Sequence, residues 1–182
     1  MNPTVAAIEV PPGSEISRYL QGADFYDCYE REMGFSAVSA LALYLTMVSR
    51  TPAWVNGLMA IRNRAVSLIG LKDLGHLGAI SASKSTDSYR VGDRVGIFTI
   101  LQMTDKEVIL GDADKHLQVK VSVCKLSTGE RHSVAVSTVV HTHNTLGRLY
   151  MLLVAPVHRV IAPAMLARVA TGTVGHNLQE KG

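Results

Sequence analysis

A chain of 182 residues is sized for one hydrophobic core, and at 47% hydrophobic and 18% charged residues it is more apolar than an average soluble domain, where about 25% are charged. The surplus apolar surface has to go to a large core, an internal cavity or a subunit interface. The formal charge of +3 comes from scattered basic residues, with only three Phe, one Trp and six Tyr, which argues against a nucleic-acid stacking platform.

Residues Met1 to Gly13 hold neither a basic nor an apolar leader segment, so the default expectation is a cytoplasmic protein. Cys28 and Cys124 match no zinc or redox spacing and are expected as free thiols. From Ala23 to Glu30, apolar and polar residues alternate as in a half-buried strand. An Ala- and Leu-rich helix follows, with Ser36 as its predicted N-cap. Pro52 then opens a second helix, in which Trp54, Leu58, Ile61, Ala65, Leu68 and Ile69 recur at helical spacing up to Gly70. Trp54 is expected to anchor the core. Residues 75–87 read as a loop.

Between Val91 and His143 the pattern turns to β, with predicted strands Val95 to Met103, Lys106 to Asp112, His116 to Leu126 and Arg131 to His143. Gly92 and Gly96 precede a strand and lack Gly-Lys-Ser/Thr, which excludes a phosphate loop. The segment Thr145 to Thr171 returns to helical composition, with bends expected at Pro156 and Pro163. His158-Arg159 at its centre argues against a membrane span. One α+β domain over the whole chain is the expected architecture, with a curved antiparallel β-sheet wrapped around a long C-terminal α-helix and two shorter helices after the first strand.

Several stretches, among them Pro52-Ala53-Trp54-Val55, Gly92-Asp93-Arg94-Val95-Gly96-Ile97-Phe98, Gly111-Asp112-Ala113-Asp114 and Asn144-Thr145-Leu146-Gly147-Arg148-Leu149-Tyr150, resemble a bacterial family of unknown function numbered 2867. The resemblance covers roughly residues 23–169. It implies a helix-grip fold of the START and Bet v 1 kind, related to lipid-transfer and polyketide-cyclase domains. Relatives fused to nicotinamide-binding, short-chain-dehydrogenase-like domains suggest a nicotinamide-dependent partner protein. The resemblance supplies no catalytic residues.

A tight turn at Thr128-Gly129 sets a register in which Ser127 pairs with Glu130. Leu117, Val119, Val121 and Val123 then share one face with Val134, Val136, Thr138 and Val140, and that face must be buried. On the other face His116 lies across from His141 and Asp114 from His143. Three imidazoles and a carboxylate are a candidate set for zinc or a similar divalent ion, set against a solvated outer face as the plainer reading. Asp112 and Asp114 are a weaker acid/base pair. On the long helix Arg148, Tyr150, His158 and Arg159 are candidates for orienting a polar ligand head, with Arg148 and Arg159 expected at the surface.

The leading expectation is a binding module for a small apolar molecule or lipid, held in a chamber lined by Val119, Val121, Val134, Val136, Thr138, Tyr150 and His158, with no obligatory cofactor. The rivals are a cyclase, isomerase or hydrolase using a pocket histidine (His116, His141 or His158), and a docking domain for a nicotinamide-dependent partner. A homo-oligomer is the other outlet for the apolar surplus.

Overall fold

The computed structural model describes residues 4–34, 37–67 and 85–169. The elements in order are β1 (Val5–Ala7), a 3-10 turn (Glu15–Tyr19), β2 (Phe25–Met33), α1 (Ala40–Ser49), α2 (Ala53–Ser67), a second 3-10 turn (Thr86–Ser88), β3 (Arg94–Val95), β4 (Phe98–Met103), β5 (Glu107–Ala113), β6 (Leu117–Thr128), β7 (Arg131–Thr142) and α3 (Thr145–Leu166). The strands form one curved antiparallel sheet in the order β1-β2-β7-β6-β5-β4-β3. The α+β architecture expected from the sequence is present.

Alternation decides what each face carries. Across the inner face run the rows Phe25, Val140, Val119 and Asp27, Thr138, Val121, Leu110, Ile100, followed by Tyr29, Val136, Val123, Val108. Apart from Phe25 and Val140, their apolar members pack with α1 residues Leu41, Tyr44 and Val48 and with Met165 and Leu166 at the end of α3. Ser39, whose hydroxyl accepts the Ala42 N–H at 3.3 Å, caps α1. The expected cap, Ser36, lies outside the described residues, as do Leu68, Ile69 and Gly70 at the predicted end of the second helix.

The outer face is not solvated, contrary to expectation. The N-terminal segment crosses it, and Val10, Ile16 and Leu20 pack on Cys28, Ile109, Ala135 and Val139. Glu107, only 5% exposed, fastens the crossing: its carboxylate accepts the backbone N–H groups of Glu15 (2.6 Å) and Ile16 (3.2 Å) and the Ser122 hydroxyl (2.6 Å). A buried carboxylate needs such donors to offset lost hydration. Lys120, also buried, lies 4.5 Å over the Tyr19 ring and donates to Gln118 at 2.6 Å; burial lowers its pKa.

Three further expectations are corrected. The β6–β7 loop is Gly129-Glu130, so Thr128 pairs with Arg131. Gly129, at φ 62°, takes the first loop position, where a primed turn needs glycine. The register therefore slips by two residues, and because strands alternate with period two, every side chain keeps its predicted face. The single strand predicted from Val95 to Met103 is a small hairpin, β3 and β4, turned at Gly96 with φ 59°. Trp54 does not anchor the core but is 44% exposed on α2.

Candidate functional site

Asn144 begins α3. Its Oδ1 accepts the Gly147 N–H at 3.1 Å and its Nδ2 donates to the Lys115 carbonyl at 3.0 Å, which seats the first turn beside the end of the β5–β6 hairpin. At the other end the Arg31 guanidinium, from the inner face of β2, donates to the carbonyls of Leu166 (3.4 Å), Ala167 (2.7 Å) and Val169. A cation among the last carbonyls also suits the helix dipole. The helix continues through both prolines. Pro163 cannot donate to the carbonyl of Arg159, four residues back, and the Tyr29 hydroxyl approaches that oxygen at 3.5 Å instead.

Between these anchors His158 reaches the sheet, next to Arg159, whose guanidinium lies 5.8 Å over the Phe25 ring. His158 Nδ1 lies 2.9 Å from Asp27 Oδ2, and Nε2 lies 3.4 Å from the Thr138 hydroxyl. Asp27 and Thr138 are cross-strand neighbours in the β2–β7 pair, so both side chains rise from the inner face. An ionised carboxylate only accepts, so Nδ1 carries a proton toward Asp27, and Nε2 faces the Thr138 hydroxyl, which can act as either donor or acceptor. The His158 and Asp27 side chains are 25% and 11% exposed, and Thr138 is buried. Asp27 Oδ1 is buried with no donor among the described residues. The surroundings are apolar: Phe25 meets the imidazole edge-on at 5.8 Å, with Val136 and Val140 on either side of Thr138 along β7. The arrangement suits accepting a proton or hydrogen bond at Nε2 while Asp27 fixes the ring.

Of the expected chamber lining, Val121, Val134, Val136 and Thr138 are buried on the inner face, Val119 is half-buried beside them, and His158 joins them from α3. Tyr150 turns toward α2, where its hydroxyl accepts from Arg62 Nε at 2.9 Å. Arg148 and Arg159 are exposed. Sequence reasoning missed Asp27, although alternation along β2 puts it on the same side as Phe25 and Tyr29, a carboxylate at core parity.

The expected metal set is brought together only in part: the His143 N–H donates to the His116 carbonyl at 2.8 Å, beside Asp114, while His141 lies elsewhere. Asp114 Oδ1 accepts the N–H groups of His116 (2.7 Å) and Leu117 (2.9 Å) within the β5–β6 turn. His116 Nδ1 contacts the Asn144 amide, while its Nε2 is buried without a partner among the described residues. His141, now across from Gln118, reaches the Gln21 carbonyl at 3.2 Å, and His143 is exposed. Among the described residues no three His, Cys, Asp or Glu side chains gather as metal ligands. Asp112 pairs across to Val119 while Asp114 is held in the turn.

Cys28 and Cys124 are free, buried thiols, and burial pushes them up to about 11 and about 12. Near the strands' ends, the Thr142 N–H at 2.7 Å holds the Asp24 carboxyl below its usual range. A groove of about 290 Å³ at the tip of the β6–β7 hairpin is bordered by Met33, His132 and the ion pair of Lys125 and Asp105. It lies away from His158.

A family model described as a protein of unknown function, DUF2867, matches residues 19–165. No curated protein and no solved structure matches the chain.

Proposed function

The chain belongs to the DUF2867 family, and from that premise we propose a helix-grip binding domain that takes a small, largely apolar molecule between the inner sheet face and α3. The order β2-β7-β6-β5-β4-β3, with two helices between β2 and β3 and a long helix last, supports the helix-grip assignment. The observation that carries the binding reading is the Asp27–His158–Thr138 line, a partly exposed polar group in apolar surroundings with one carboxylate oxygen left over. Binding sites commonly combine an apolar lining with a few such fixed polar groups. His158 would accept from, or donate to, a hydroxyl or carbonyl at the ligand's polar end.

A second reading has a specific observation in its favour. The 2.9 Å contact from Asp27 orients His158 as a general base orients in an acid/base enzyme, so proton abstraction at Nε2 is the chemistry a reactive ligand would meet. Geometry of this kind serves recognition as well as catalysis, and binding is the more economical reading.

An anilinonaphthalene sulfonate dye tests the site. Wild-type protein should bind it saturably at one site, Val136→Trp should abolish binding, and His158→Ala should weaken it. Leu153→Glu, on the exposed side of α3, should leave it unchanged. Binding that survives Val136→Trp but disappears in Leu153→Glu belongs to the outer surface of the helix and refutes the proposal.

A further inference from the structure

The outward side of α3 is as apolar as its inward side. Leu149, Leu152, Leu153, Val157 and Val160 are 56%, 72%, 72%, 39% and 60% exposed. Their spacing of one, three and four residues places them on one stripe along a helix about 33 Å long. By length and composition α3 would suffice to cross a bilayer, yet few of its residues are buried in the fold. The helix contains no Asp or Glu. Its arginines, Arg148 and Arg159, are exposed and sit about three turns apart on the same flank of the stripe. The adjoining α2 also lacks acidic residues, is joined to α3 through Arg62 and Tyr150, and exposes Trp54 and Ile61 at 44% and 67%.

We propose that the outward face of α3 docks on an anionic lipid surface, with the helix lying in the plane of the interface. An apolar stripe flanked by arginines is the pattern of an interfacial helix, in which the stripe enters the acyl boundary and the cations meet the headgroups. The opposite side of α3 is fastened to the sheet through Asn144, His158 and Arg31, so the helix docks on the membrane without crossing it. A second copy is the poorer occupant. Isologous pairing would bring arginines together with no carboxylate on either helix. Anionic headgroups supply the missing charge.

Flotation of the full chain with vesicles provides the test. The protein should float with mixed phosphatidylglycerol and phosphatidylcholine vesicles, and much less with phosphatidylcholine alone. Leu152→Glu with Leu153→Glu should lower affinity roughly tenfold or more, at an unchanged melting temperature because both side chains are exposed. Arg148→Gln and Arg159→Gln should each lower it roughly fivefold on anionic vesicles and have little effect on neutral ones. Three results overturn the proposal: no flotation of the wild type; a wild-type dimer that the double glutamate variant makes monomeric, which assigns the face to a second copy; or a Leu153→Cys thiol shielded from a maleimide in the folded monomer, which assigns it to the chain itself.

Discussion

Gly147→Ala sets helix propensity against packing. Glycine inside a helix costs about 1 kcal/mol relative to alanine, so propensity alone predicts a more stable protein. At this position, however, a β-carbon would overlap the His116 carbonyl oxygen and stand 3.1 Å from the His116 carbonyl carbon and 3.4 Å from Thr142 Cβ. Relief requires the first turn of α3 to lift by about 1 Å, at a strain of ~1–3 kcal/mol. The same movement stretches the Asn144 cap on Gly147, which is worth ~1 kcal/mol. Packing therefore wins, and the net loss is about 1–3 kcal/mol, or a melting temperature lower by roughly 2–12 °C for a domain of this size. Gly57→Ala, exposed on α2 with nothing within 4 Å of its added carbon, is the control and should gain ~0.5–1 kcal/mol. Urea and thermal unfolding of the three proteins decide the matter. A Gly147→Ala protein as stable as the control would refute the seating of α3 on the β5–β6 hairpin.

Two further outcomes concern the two sheet faces. Cys28 and Cys124 should resist Ellman's reagent in the native protein at pH 8 and react once it unfolds; since their folded pKa values, about 11 and about 12, exceed the ordinary 9.0, their share of stability is intact below pH 9 and lost as pH rises toward those values. Rapid native labelling would contradict the buried placement. Val121→Asp would set a carboxylate between Thr138 and Leu110 on the inner face, and should cost several kcal/mol in chemical denaturation; wild-type stability would mean that this face is not the core.

Local periodicity made much of the fold legible. The alternation along β6 and β7 identified the buried face even though the turn was misplaced, because a two-residue slip leaves parity unchanged. What a local pattern does not carry was missed. β1 has three residues and the N-terminal turn five, too short for a period to register, so the cover of the outer face went unread. Gly96 did carry a signal, a turn residue inside a supposed strand, which marked the β3–β4 hairpin. The candidate site was half legible: His158 and Thr138 stood among the expected pocket residues, but Asp27 joins them only through the pairing of β2 with β7, which links residues 27 and 138. The two-residue slip did change which residues lie opposite each other, so that His143 and not His141 meets His116.

The strap across the outer face bears on where the folding unit ends. The family match runs over residues 19–165, yet the donors that satisfy the buried Glu107 carboxylate belong to Glu15 and Ile16, and the carbonyls that receive Arg31 belong to Leu166, Ala167 and Val169. A fragment cut to the matched span would strand a carboxylate and a guanidinium on opposite faces of the sheet and bare Ile109, Ala135 and Val139 to water. What holds this sheet together therefore extends beyond the matched span on both sides, and the fragment should be less stable and aggregate more readily than the full chain.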